Sequence, residues 1–337
     1  MPPSLELSLI PTSFFLVLML TNYVRDILLK HRAVDVPNNR SLHTIPVPRG
    51  GGWALLAIFL PALTGAIIFL DADIRHVGLV LAVFLLAAIS WIDDRKNISP
   101  AMRLSFHILA ACLGSFSFPP QEMMLGGIVP FWLDRTLMIL GWAWFINLYN
   151  FMDGIDGITS VETISIATGL YVVWTLSGVN DPFVGFLLLI LIGGCMGFLA
   201  HNWHPAKIFL GDIGSIPLGY LVGFCLISAA TRGYWAAAVI LPLYYLADST
   251  ITIVQRAFRG EKIWQAHRGH FYQRAALGAK SHSKVVILIV AANIGLIATA
   301  ALSVFQAAVG LCISILIVAL LLGKMKKIAS RSKAKID

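Results

Sequence analysis

Val77-Gly-Leu-Val-Leu-Ala-Val-Phe-Leu-Leu-Ala-Ala-Ile-Ser-Trp-Ile92 carries no charge and runs straight into Asp93-Asp94-Arg95-Lys96-Asn97. A strand of a membrane barrel alternates apolar and polar residues with period two, and this run does not. It reads as a helix crossing a bilayer, a task that takes roughly 20 residues. Comparable runs fall at 7–25, 53–70, 76–92, 102–118, 134–151, 158–177, 183–201, 214–231, 235–256, 284–302 and 305–323. Of the 337 residues 58% are hydrophobic and only 12% charged, with a mean hydropathy of +0.81. Soluble domains carry about 25% charged residues, so that class is excluded. The expected fold is all-α: one polytopic membrane helix bundle of about 11 spans over residues 1–337, closing with a helix hairpin at 284–323 and a basic tail at 324–337.

Positive loops stay in the cytoplasm. With these spans, Arg75, Arg135 and Arg232 fall on one side and the other 22 of the 25 Lys and Arg on the opposite side. The expected topology has a periplasmic N-terminus and a cytoplasmic C-terminus in a bacterial inner membrane. The first run lacks a small-residue cleavage site and reads as a span rather than a signal peptide. Topology and anionic headgroups account for the net charge of +8 without nucleic acid. Cys112, Cys195, Cys225 and Cys312 sit in apolar runs without paired spacing, as inert thiols.

The unusual polar motifs share the basic side, whereas a transporter places its key polar groups near the midplane. Asp93 and Asp94 end a span as adjacent carboxylates, either a solvated terminus or a cation site. Asn147, Asn150, Asp153 and Asp156 recur every third residue, which places neighbours on one helix surface. Gly154 and Gly157 loosen the chain there. Such oxygens suit a hard cation or a polar ligand. Asp212, between Gly211 and Gly214, reads either as a helix N-cap or as a metal ligand with one partner from the Asn150 stripe. Asn202, His204 and Lys207 share its loop. Arg256, Arg259, Lys262, His267, Arg268, His270 and Arg274 form a basic loop able to hold a diphosphate, although positive-inside loops are basic anyway. Pro46, Pro48 and Gly50 to Gly52 force a turn or extended segment before the second span, without the P-loop pattern. Asp248, inside an apolar run, needs a partner, with Arg256 two turns on as the candidate.

Together these motifs resemble the polyprenyl-phosphate N-acetylaminosugar-1-phosphate transferase superfamily, glycosyltransferase family 4. The resemblance covers roughly residues 35 to 275. His267-Arg-Gly-His-Phe-Tyr-Gln-Arg274 is most similar to its O-antigen-initiating branch. The resemblance implies Asp93 and Asp94 as the acidic pair, with Asp93 the candidate base, and Asn150 and Asp212 as ligands of Mg2+, which Mn2+ can replace. It implies Asn97, Arg103, Asp153, Asp156, Asn202, Phe209 and Arg268 at the substrates, with His267 and His270 in a cytoplasmic catalytic motif. Relatives carry an acid at Asn97 and a third histidine at Gly269, so the histidines do not form the full set. The implied partners are undecaprenyl phosphate, a UDP-N-acetylhexosamine and membrane lipids, with a homodimer admissible. The implied reaction is HexNAc-1-phosphate transfer that begins a surface polysaccharide. A nucleotide-sugar or ion transporter is the rival reading. An intramembrane aspartyl protease is a weaker one, because Phe209 replaces the first glycine of its G-x-G-D motif.

Overall fold

The computed structural model describes residues 7–37, 45–70, 72–96, 98–262 and 267–333. Asn97, Arg40 and His43 lie outside the described residues. Helices α1 (Leu9–Lys30), α2 (Gly52–Phe69), α3 (Val77–Lys96), α4 (Pro100–Ser115), α5 (Phe131–Phe151), α6 (Ile158–Ser177), α7 (Pro182–Asn202) and α8 (Asp212–Thr231) follow in chain order. Then come α9 (Trp235–Ile240), α10 (Leu243–Phe258), α11 (Phe271–Ala279), α12 (His282–Ser303) and α13 (Ala307–Lys333). Between α1 and α2, β1 (Val34–Asp35) pairs antiparallel with β2 (Val47–Pro48).

Seven of these helical segments are long and apolar enough to cross a membrane, in α1, α2, α3, α7, α8, α12 and α13. The chain is therefore an all-α, multi-pass membrane protein. The expected spans at 102–118, 134–151 and 158–177 coincide with α4, α5 and α6. The expected span at 235–256 is instead two helices, α9 and α10, divided at Leu241 and Pro242. Pro242 has no N–H to donate back into the preceding turn, so the helix breaks where it stands. The tail beginning at Lys324 continues α13 as far as Lys333.

α8 is the axis of the bundle, buried at every residue from Ile213 to Ala229. It packs against α5 and α3, with α2, α6 and α9 around it. Trp142 of α5 stacks on Tyr220 of α8 at 4.6 Å between ring centroids and donates its Nε1–H to the Tyr220 carbonyl at 3.0 Å. Lipid tails are as apolar as leucine, so close approach through small residues holds helices together. α1 illustrates this: its buried residues Ser13, Val17 and Thr21 face α7, where side chains at Gly193 and Gly197 would overlap the α1 backbone.

Candidate active site

The Pro/Gly segment and the loop ahead of α8 are joined backbone to backbone. Phe209 N–H donates to the Pro48 carbonyl at 2.8 Å, Gly51 N–H to Phe209 at 2.8 Å and Gly52 N–H to Leu210 at 2.9 Å. The approach needs glycine, because a side chain at Gly51 would overlap Phe198 and one at Gly52 the backbone of Gly214. Gly211, at φ +71°, is the N-cap of α8, and Asp212 is its first helical residue. This docking places Arg49 beside Asp212, Nη2 to Oδ1 at 2.9 Å, with Asp94 Oδ1 3.7 Å from the same nitrogen. The Asp212 carboxylate holds the Arg49 guanidinium above its ordinary pKa despite burial.

Two further helices reach Asp212, and a third braces one of them. Asn150, in the last turn of α5, donates from Nδ2 to Asp212 Oδ1 at 3.2 Å and to Ser215 Oγ at 2.9 Å. Arg103, in the first turn of α4, lies 3.9 Å from Asp212 Oδ2 and 3.3 Å from Asp93 Oδ2. Asp93, at the end of α3, accepts the Ile98 N–H on Oδ1 at 2.8 Å. The acidic pair thus divides: Asp93 is buried and braces Arg103, while Asp94 is exposed beside Arg49. One turn beyond Arg103, His107 is buried with neither ring nitrogen hydrogen-bonded.

The expected single stripe of Asn150, Asp153 and Asp156 does not form. α5 ends at Phe151, and Gly157 takes φ +79° to start α6, so the two acids lie in a turn and face different partners. Asp153 accepts a 2.6 Å bond from Thr159 Oγ1; burial pushes its carboxyl up to about 6 against that hydrogen bond. Asp156 Oδ2 lies 2.6 Å from His204 Nδ1 and 3.2 Å from His282 Nδ1. Asn202 bridges two loops, accepting from Gly157 N–H at 2.9 Å and donating to the Ile208 carbonyl at 2.8 Å. The Phe209 backbone is the seam with Gly50 and Gly51, and its ring is half-buried.

The histidine motif forms a separate cluster. Asp248 Oδ1 meets His270 Nδ1 at 3.2 Å and accepts the Phe271 N–H, while Oδ2 accepts the Tyr272 N–H at 3.1 Å. Arg256, expected to neutralise Asp248, reaches Glu261 at 2.8 Å and the Lys262 carbonyl at 3.0 Å. Backbone N–H groups at the start of α11 take its place beside Asp248. His267 Nδ1 accepts the Gly269 N–H at 3.0 Å, and burial pushes the ring down to about 4, so it is neutral near pH 7. Arg268 is half-buried in the same turn. Tyr272 links this cluster to the α5 turn by donating to the Phe151 carbonyl at 3.0 Å.

Arg49, Ser215 and His107 were not among the expected site residues. Arg49 was legible only as one of five bases in its loop. Ser215 follows the Gly-Asp-x-Gly motif, while His107 sits in an apolar run with no local mark. Asp94 and Asp212 bring hard carboxylate oxygens to this cluster, donors of the kind Mg2+ takes, while the Asn150 amide here turns its Nδ2 to Asp212 and Ser215. Toward the other end of α8 from Asp212, α5, α8, α9 and α10 with the 123–128 loop form an open apolar cavity of about 640 Å3, lined by Gly141, Trp142, Phe145, Leu226 and Leu246 among others.

Residues 76–230 match the family model described as glycosyl transferase family 4. The chain is 28% identical over 293 residues to a probable undecaprenyl-phosphate N-acetylglucosaminyl 1-phosphate transferase of Bacillus subtilis, covering 82% of this chain and 79% of that one. It is 29% identical to the decaprenyl-phosphate N-acetylglucosaminephosphotransferase of Mycolicibacterium smegmatis, over 85% and 79% of the two chains. A phospho-N-acetylmuramoyl-pentapeptide-transferase of a Synechocystis species matches at 29% over 55% and 53%. The matched region, 76–230, contains Asp93, Asp94, Arg103, Asn150 and Asp212, and the chain is similar there to the polyprenyl-phosphate N-acetylhexosamine-1-phosphate transferase superfamily.

Proposed function

We propose that the protein transfers a HexNAc-1-phosphate from a UDP-sugar to undecaprenyl phosphate, at the basic, cytoplasmic end of the bundle in a bacterial inner membrane. The product would begin an O-antigen or related surface polysaccharide, with the N-terminus periplasmic and the C-terminus cytoplasmic. The observation that carries this reading is the convergence on Asp212 of Arg49, Arg103 and Asn150, drawn from three separate segments. Two anionic phosphates must meet, which needs fixed positive charge in a site that excludes water.

An oxygen of the lipid phosphate forms a bond to the sugar-bearing phosphorus, and the bond from that phosphorus to the bridging oxygen breaks, releasing UMP. Arg49 and Arg103 hold phosphate oxygens, Arg49 with the fork geometry suited to them. Asp93, tied to Ile98 and Arg103, keeps the Arg103 guanidinium in place. Mg2+, held by Asp212 and Asn150 with Asp94 beside them, would neutralise the donor diphosphate and the UMP leaving group. The cavity between α5, α8 and α10 suits the polyprenyl chain. The Tyr272 bridge ties the histidine motif to the same α5 turn, where His270 and Arg268 would steady the diphosphate.

The test is incubation of purified protein with undecaprenyl phosphate, Mg2+ and a panel of UDP-HexNAc donors, scoring UMP release and the mass of the lipid product. A lipid diphosphate sugar from at least one donor, lost in Asp212→Ala, is the expected result. Vesicle uptake of a nucleotide sugar with no lipid product would favour a transporter.

A further inference from the structure

Asp156, His204 and His282 come from three different places in the chain. Asp156 lies in the turn between α5 and α6, His204 in the turn between α7 and α8, and His282 is the first residue of α12. Their donor atoms nevertheless gather. His204 Nδ1 is 2.6 Å and His282 Nδ1 3.2 Å from the same oxygen, Asp156 Oδ2, and the imidazole centroids are 4.7 Å apart. One ligand atom from each residue lies within 4.8 Å of the other two. The Asp156 and His282 side chains are only 7% and 9% exposed, whereas His204 is 33% exposed, so the cluster reaches solvent on the His204 side.

Two imidazoles and one carboxylate form a borderline donor set, which selects first-row transition metals and Zn2+ over Mg2+. The cluster around Asp212 offers only oxygens and is flanked by two arginines, the opposite preference. We propose that Asp156, His204 and His282 form a second metal site, specific for Zn2+ or a similar divalent ion. Bonds of about 2 Å at tetrahedral angles separate ligand atoms by about 3.3 Å. His282 already stands at 3.2 Å from Asp156 Oδ2, and His204 has to withdraw by less than 1 Å from its 2.6 Å contact, on the solvent side of its turn. The ion joins three connections at one end of the bundle. Asn202, which ties the α5–α6 turn to Ile208, carries that restraint into the segment leading to Asp212. Its role is to fasten these turns; the resemblance also sets Asp156 and Asn202 at the substrates, so the test reads metal binding itself, whose outcome is separate from that of the transfer reaction proposed above.

The experiment uses the full chain in detergent, with any affinity tag removed, stripped with a mild chelator. Zn2+ is added in the presence of excess Mg2+ and the protein desalted, with bound metal measured by mass spectrometry. Co2+ replaces Zn2+ in a parallel sample to read its visible absorption. The expected result is one Zn2+ per chain that excess Mg2+ does not displace, a raised thermal midpoint, and Co2+ bands of tetrahedral intensity. His204→Gln and His282→Gln should each weaken Zn2+ binding by about tenfold or more, whereas Asp212→Asn should keep it. His204 is half-exposed in a turn, so its variant keeps the test decisive if His282→Gln fails to fold. Wild-type protein without retained Zn2+, or the His204 variant binding it as tightly as wild type, would overturn the site.

Discussion

Asp93 and Asp94 are neighbours with different surroundings. Both Asp93 oxygens are engaged, one by the Ile98 N–H and one by Arg103, while Asp94 faces Arg49 across 3.7 Å. A carboxylate that orients an arginine acts through that arginine's grip on phosphate. Asp93→Asn should therefore raise the KM for the phosphorylated substrates, lowering kcat/KM by about tenfold, and leave the acid limb of the pH–rate profile in place. Loss of that limb in steady-state UMP-release assays would instead make Asp93 the base. Asp153 adds a pH effect of definite sign. Its folded-state value of about 6 lies above the ordinary carboxylate value, so the folded chain holds a proton there that the unfolded chain has released. The stability contributed by that retained proton is complete below the ordinary value and lost as pH rises through about 6. Thermal midpoints measured across that range should fall with rising pH in the wild type and flatten in Asp153→Asn.

At the scale of elements, the seam between the triglycine and the 209–214 loop sets the Arg49–Asp212 pair. Gly52→Ala places a methyl group into the Gly214 backbone. Overpacking of this kind costs about 1–3 kcal/mol, and it should show as a lower thermal midpoint together with lost transferase activity, since Arg49 moves with the seam. Gly185, in the first turn of α7, has nothing within 4 Å of an added Cβ, so Gly185→Ala is the matched control. Its midpoint should stay unchanged or rise, by up to about 1 kcal/mol in stability. Equal losses in both variants would mean that the seam has no special role. Breaks in regular structure also place the other site groups: the end of α5 at Phe151 turns Asp153 and Asp156 apart, and Pro242 separates α9 from α10.

For the whole molecule, α8 is buried along almost its full length, and its N-terminus carries Asp212 while its C-terminal half walls the apolar cavity. One helix therefore joins the polar cluster to a compartment fit for a long hydrocarbon chain. Gly141 of α5 lines that cavity and has open space where a side chain would project. Gly141→Phe should fill it, raising the KM for the polyprenyl acceptor by about tenfold with the KM for the UDP-sugar unchanged. Initial-rate measurements with each substrate varied in turn separate the two, and equal changes in both would place the lipid elsewhere.

The primary structure by itself determined that this is an all-α membrane protein, because uniformly apolar runs have only one way to satisfy their backbone in lipid. It also marked Asp93, Asp94, Asn150, Asp212 and the histidine motif, since acids and amides at the ends of apolar runs are costly without a purpose. Only the tertiary structure decided how they combine. Arg49 resembled any other loop base until the glycine seam brought it to a residue 163 positions away. His107 carried no local mark in its apolar run, and only packing shows it buried. Three turns from distant segments likewise had to meet before Asp156, His204 and His282 became neighbours. Local pattern reports what a helix does with lipid and water, and long-range docking sets which polar groups face one another.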